Sequence, residues 1–126
     1  WCYRPAARDK RTVAMQLRLS RVILFTANME EMMAFYRDVL GLHLKTDQKG
    51  WKEFEAGGCA IALHSGTARP GVRPPKLAFD VGDVAATRQA LIARGAKMGK
   101  VSSKDGIELC GGKDPDGNPF GHSNRG

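Results

Sequence analysis

The stretch Arg21–Leu42, RVILFTANMEEMMAFYRDVLGL, decides the fold. Its opening residues continue an apolar and β-branched run that begins at Leu17 (LRLSRVILFT, to Thr26), and such a run predicts a strand. Asn28 follows, with Glu31 three places on. That is the spacing of a capping box: the Asn side chain can accept from the Glu31 amide while the Glu reaches back to the Asn28 amide. Met32, Phe35, Tyr36, Val39 and Leu40 then recur at helical spacing, and Gly41 suits a left-handed C-terminal cap. Downstream, Leu42–Thr46, Trp51–Ala56 and Cys59–Ser65 read as three short strands, with turns at Asp47–Gly50 and Gly57–Gly58.

The Gly/Pro/Arg-rich segment 66–74 (GTARPGVRP) has no periodicity and reads as a linker, after which the pattern starts again. Lys76–Val81 predicts a strand, Asp83 a cap, and Val84, Thr87, Leu91 and Ile92 a second helix that Gly95 ends. Met98–Ser102, Ile107–Gly111 and Asn118–Ser123 can supply three more strands. Laid together, Arg21 falls on Lys76, Asn28 on Asp83 and, after a one-residue slip, Gly41 on Gly95. The chain therefore reads as α+β: two tandem βαβββ modules, about residues 17–65 and 75–124, forming a curved mixed sheet around a shared cleft with helices outside. An unrelated α+β sandwich is the competing fold. Matching caps, helix lengths and terminal glycines in both halves favour the repeat.

Bulk properties narrow the function classes. With 126 residues there is room for one domain, placed at 15–126. Residues 1–14 read as a leader foreign to the domain and expected to be disordered, with Met15 a plausible native start. No apolar run approaches the roughly 20 residues that cross a bilayer, so no membrane partner is expected. Cys2, Cys59 and Cys110 have neither disulfide nor metal spacing, which fits reduced thiols in a cytoplasm. Of the net charge of +7, the leader supplies +3 (Arg4, Arg8, Lys10 and Arg11 against Asp9), and the rest is dispersed. Without a basic stripe there is no footprint for nucleic acid; a mild preference for acidic small molecules fits better.

Three stretches resemble the vicinal oxygen chelate superfamily of glyoxalase, bleomycin-resistance and ring-cleaving dioxygenase relatives. They are Arg21–Leu42, with its Phe35–Tyr36 pair and Leu40–Gly41–Leu42; Lys76–Gly95; and the turn Asp114–Asn118, DPDGN. The resemblance implies a divalent metal on the concave face, held by a His and a Glu from each module, and homodimerisation. Mapped by that resemblance, the ligand positions are Arg21, Ala62, Lys76 and Gly121. A guanidinium has no lone pair to give, and Ala and Gly carry no side-chain donor. The expectation is no metal and no other cofactor, with a divalent ion around His64 as the alternative.

Strand alternation places Arg21, Ile23, Phe25, Ala62, His64, Lys76, Ala78, Asp80 and Gly121 on the cleft side, and His122 on the helix side. Arg can hold a carboxylate or phosphate in a bidentate fork and Lys adds a point charge, so the cleft suits an anionic, partly apolar small molecule. The bland alternative is that Arg21 and Lys76 pair internally with Asp80, Glu53 or Glu55. Trp51 is either a ligand wall or a core or dimer contact. The leading expectation is thus a metal-independent small-molecule binder, in sequestration or resistance. Its rivals are a lyase, isomerase or dioxygenase built around His64, with Lys76, Asp80 or Glu55 as acid/base, and a protein-interaction module with a vestigial cleft. Whether the chain is an enzyme stays open at this level.

Overall fold

Alternation of apolar and polar residues in the first strand sets the architecture. In β1 (Arg21–Thr26) Val22 and Leu24 point to the helix side, while Arg21, Ile23 and Phe25 are exposed on the other. The computed structural model describes residues 17–125; the proposed leader and Met15 lie outside them. After β1 come α1 (Met29–Ala34), β2 (His43–Gln48), β3 (Trp51–Glu55) and β4 (Ala60–Ser65), then β5 (Leu77–Asp80), α2 (Val84–Ala93), β6 (Ser102–Lys104), β7 (Ile107–Lys113) and β8 (Pro119–Ser123). The strands form two four-stranded sheets, ordered β1-β4-β3-β2 and β5-β8-β7-β6. In each, the first strand runs parallel to the last and the others pair antiparallel. The two βαβββ modules and the α+β class stand as the repeat implied.

The predicted β6 is displaced. The strand forms at Ser102–Lys104, and Met98 contributes only an isolated bridge to Gly112. The helix starts also differ. Asp83 accepts from the Ala86 amide at 2.9 Å, a true N-cap. Asn28 makes no cap bond; its Nδ2 donates instead to Asp116 Oδ1 at 2.9 Å, so the expected capping box does not form. Beyond Ala34 the first helix widens into a π turn over Phe35–Val39, with the Leu40 amide reaching the Phe35 carbonyl. Gly41 (φ 73°) and Gly95 (φ 102°) then take the left-handed backbone their positions predicted.

One core serves both modules. Met32, Phe35 and Tyr36 of the first helix cluster with Phe54, Ile61 and Leu63 of the first sheet, and with Leu91 and Phe120 of the second module. The Phe35 and Phe120 rings meet edge-on at 5.6 Å. A polar latch joins the halves on this side. Tyr36 donates its hydroxyl to Asp114 Oδ2 at 2.7 Å, and Asp114 also accepts from the Asp116 and Asn118 amides and from Asn118 Nδ2. Burial pushes the Tyr36 phenol well above its ordinary pKa, and the neighbouring Asp114 charge adds to the shift.

Candidate functional site

The open faces of the two sheets carry the predicted site residues, and the structure sorts them into two groups. On the first sheet, Ile23 is in register with Ala62, Phe25 with His64, Glu53 with Ala62 and Trp51 with His64. Glu53 is the feature that strand reading alone did not single out. Its side chain is only 7% exposed, and its two carboxylate oxygens lie 3.4 Å from Arg21 Nε and 3.5 Å from Lys45 Nζ. Both cations remain about half exposed, so water screens the pairs. For Arg21 the internal ion pair is what forms. Lys45 reaches Glu53 from a bulge between Leu44 and Thr46, an irregularity that periodicity does not announce.

At the far end of that face, His64 sits between Phe25 (ring centroids 5.2 Å apart) and Trp51 (5.8 Å). Its Nδ1 is 2.8 Å from the Ser65 carbonyl and therefore donates to it. Phe25 is 52% exposed and Ile23 42%, a large apolar presentation for a small chain.

The second sheet is arranged differently. Lys76 precedes β5 and stretches across two glycines. A Cβ built at Gly121 would fall 2.8 Å from Lys76 Cε and 3.2 Å from its Nζ, and one at Gly111 would fall 3.5 Å from the Nζ. The glycines are what let the ammonium lie on the sheet. Among the described residues it has no carboxylate within ion-pair distance. Lys76, Ala78, Ile107, Leu109, Gly121 and Arg125 line a cavity of about 170 Å³ there. Ile107, Leu109 and Arg125 are members that sequence reading missed. Asp80 is exposed at the end of β5, in register with Ser123. Ile23 and Phe25 border a separate cavity beside the linker. The structure thus groups Arg21 with Glu53, Phe25 with His64, and Lys76 with Gly121.

The fold agrees with the comparisons. The model of the Glyoxalase/Bleomycin resistance protein/Dioxygenase superfamily matches residues 18–121. The chain belongs to that superfamily. No curated protein matches it in sequence. Solved structures of the same fold include a lactoylglutathione lyase from Agrobacterium tumefaciens (18% identity, 86% of this chain and 94% of that one, TM-score 0.70). Others are a glyoxalase/bleomycin resistance protein/dioxygenase from Nocardioides (19%, 90% and 85%, TM-score 0.74) and an integron cassette protein from the Halifax Harbour sewage outfall metagenome (16%, 83% and 96%, TM-score 0.72). At these identities they speak for the fold.

Membership of the superfamily raises the question of a divalent metal, and the residues present do not fit one. Its four expected positions hold a guanidinium already paired with Glu53, a fully buried methyl at Ala62, an ammonium and a glycine. A donor side chain at Gly121 would have to displace the end of the Lys76 side chain. Among the described residues, no group of three or more His, Cys, Asp and Glu is placed to share an ion. His64 has aromatic rings and a backbone carbonyl around it rather than fellow ligands.

Proposed function

We propose that this superfamily member is a metal-independent small-molecule binder whose ligand is an anion with an apolar part, held on the open face of the second sheet. The supporting observation is the Lys76 ammonium laid over Gly111 and Gly121, facing no described carboxylate, in a cavity whose other walls include Ala78, Ile107, Leu109 and Arg125. An ammonium and a guanidinium can share one carboxylate or phosphonate, while Ile107 and Leu109 cover its apolar portion. The physiological role we assign is sequestration of such a molecule in the cytoplasm, where Cys59 and Cys110 stay free thiols.

At about 170 Å³ the cavity is smaller than the roughly 300–1,000 Å³ of most ligand sites. We therefore propose a homodimer in which a second copy supplies the remaining wall. Sedimentation velocity reads this directly; a monomer at every concentration, with and without ligand, removes it.

Calorimetric titration with benzoate and phenylphosphonate tests the binding itself. Both bind saturably, and Lys76→Gln weakens them about tenfold, the worth of a charge-assisted hydrogen bond. No saturable binding, or equal affinity in the variant, overturns the reading. Elemental analysis of untagged protein checks metal independence; one stoichiometric divalent ion lost in His64→Ala would refute it.

A further inference from the structure

A second cavity lies on the opposite side of the second sheet, where the modules meet. It measures about 190 Å³, and its walls include Leu40 and Leu42 from the end of the first helix, Phe79 of β5, Leu91 of α2, and Phe120 and His122 of β8. The surroundings are mostly apolar; the polar members are Asp80 at the exposed end of β5, Thr87 and His122. Thr87 Oγ1 already donates to the Asp83 carbonyl at 2.8 Å.

His122 is 3% exposed. Its Nε2 stands 3.1 Å from the Val84 carbonyl, and a carbonyl only accepts, so Nε2 carries the proton. In the neutral ring the other nitrogen, Nδ1, is then a bare lone pair, and it is buried without a hydrogen-bond partner among the described residues. An unmet buried acceptor costs about 1–3 kcal/mol, and such groups in native folds call for a reason. Cys110, the cross-strand neighbour of His122, does not supply one, because its thiol is directed to the Gly99 carbonyl.

We propose that this crevice is a binding site for a small neutral ring bearing a single O–H or N–H donor, of the phenol or cyclic-alcohol class, whose donor satisfies His122 Nδ1. The volume sets the size limit. An apolar cavity of about 150 Å³ holds benzene, so about 190 Å³ admits one substituted ring. The tautomer sets the polarity: the ligand must donate, so ethers and ketones of the same shape leave the nitrogen unmet. The imidazole turns slightly about its soft χ2 torsion to meet the ligand. His122 borders both this crevice and the Lys76 cavity, but the two call on different groups, His122 Nδ1 for an uncharged donor here and the Lys76 ammonium for an anion there, so the two stand or fall separately. Since Leu40 and Leu42 come from the other module, occupancy also ties the halves together.

The test is nitrogen NMR of 15N-histidine-labelled full-length protein, titrated with phenol, cyclohexanol and anisole. Phenol and cyclohexanol move the His122 Nδ1 resonance upfield as its lone pair accepts a bond, and leave Nε2 as the protonated nitrogen. Anisole binds at least about fivefold more weakly than phenol, the factor expected for one hydrogen bond of about 1 kcal/mol, and leaves Nδ1 unmoved. Val81→Phe, which narrows the crevice at its half-buried rim, abolishes the phenol response. His122→Phe removes the preference for phenol over anisole if it folds; the wild-type resonance decides the matter if it does not. An unmoved Nδ1 at saturating phenol, equal binding of phenol and anisole, or a response unchanged in Val81→Phe overturns the proposal.

Discussion

The two modules share one scaffold and reach opposite electrostatic ends on it. By register, Ile23 corresponds to Ala78, Ala62 to Gly121 and Glu53 to Gly111, so Arg21 and Lys76, each two residues before its alignment point, are true counterparts. In the first module the third strand places a buried carboxylate under the cation and Lys45 closes the set. In the second, the same lattice point is a glycine, and the ammonium lies over it without a described anion. A cation at the head of the first strand therefore has no fixed role. The residue two strands away decides whether it is neutralised in place or left to attract a ligand.

Separating the halves should have the largest effect. Tyr36→Phe removes the hydroxyl that Asp114 accepts and is expected to cost about 1–3 kcal/mol in chemical denaturation. The pH dependence carries a signature of this group. Its folded pKa lies above the value of about 10 in the unfolded chain, so its contribution is complete below pH ~10 and declines as the pH rises beyond. Melts from pH 7 to 11 should show the wild type losing its advantage over Tyr36→Phe only at the alkaline end.

Turning the second module into the first is the next test. Gly111→Glu sets a carboxylate where Glu53 stands in the other half, and should pair with Lys76 and weaken benzoate binding roughly tenfold. Undiminished affinity would show that Lys76 does not read the anion. Comparing the helix starts should give a smaller difference. Asp83→Ala loses a real cap and costs about 1 kcal/mol, whereas Asn28→Ala loses one exposed hydrogen bond and costs about 0.5 kcal/mol, both readable by thermal melts. The smallest effect belongs to the converse exchange. Glu53→Gln frees two half-exposed cations, so benzoate affinity should rise by about two- to fivefold, and the gain should fade in high salt.

What sequence could disclose follows the range of each interaction. The glycines that end both helices, the cap at Asp83 and the alternation along β1 and β5 are local, and they were legible. So was His122 on the helix side, since parity along β8 decides it. Asn28 misled because its amide found a partner 88 residues away, which local spacing does not encode. Glu53 was visible as one possible partner for Arg21, yet selecting it required the register that seats it beside Ala62. Leu109 and Arg125 entered the candidate site only through the packing of β7 and β8 and the residues just after β8. The residue types at the superfamily's four ligand positions, by contrast, were plain from the alignment of motifs alone.

The turn at Asp114 is more than a bend in the chain. Three of the four hydrogen bonds that the Asp114 carboxylate accepts arise within the turn, and the fourth comes from a residue made long before it, on the helix of the other half. The last hairpin can thus close in full only upon a finished first half. A gene that exchanged its front portion for a relative lacking that phenol would inherit a back portion with an unfilled acceptor, so the duplicated halves are no longer interchangeable parts.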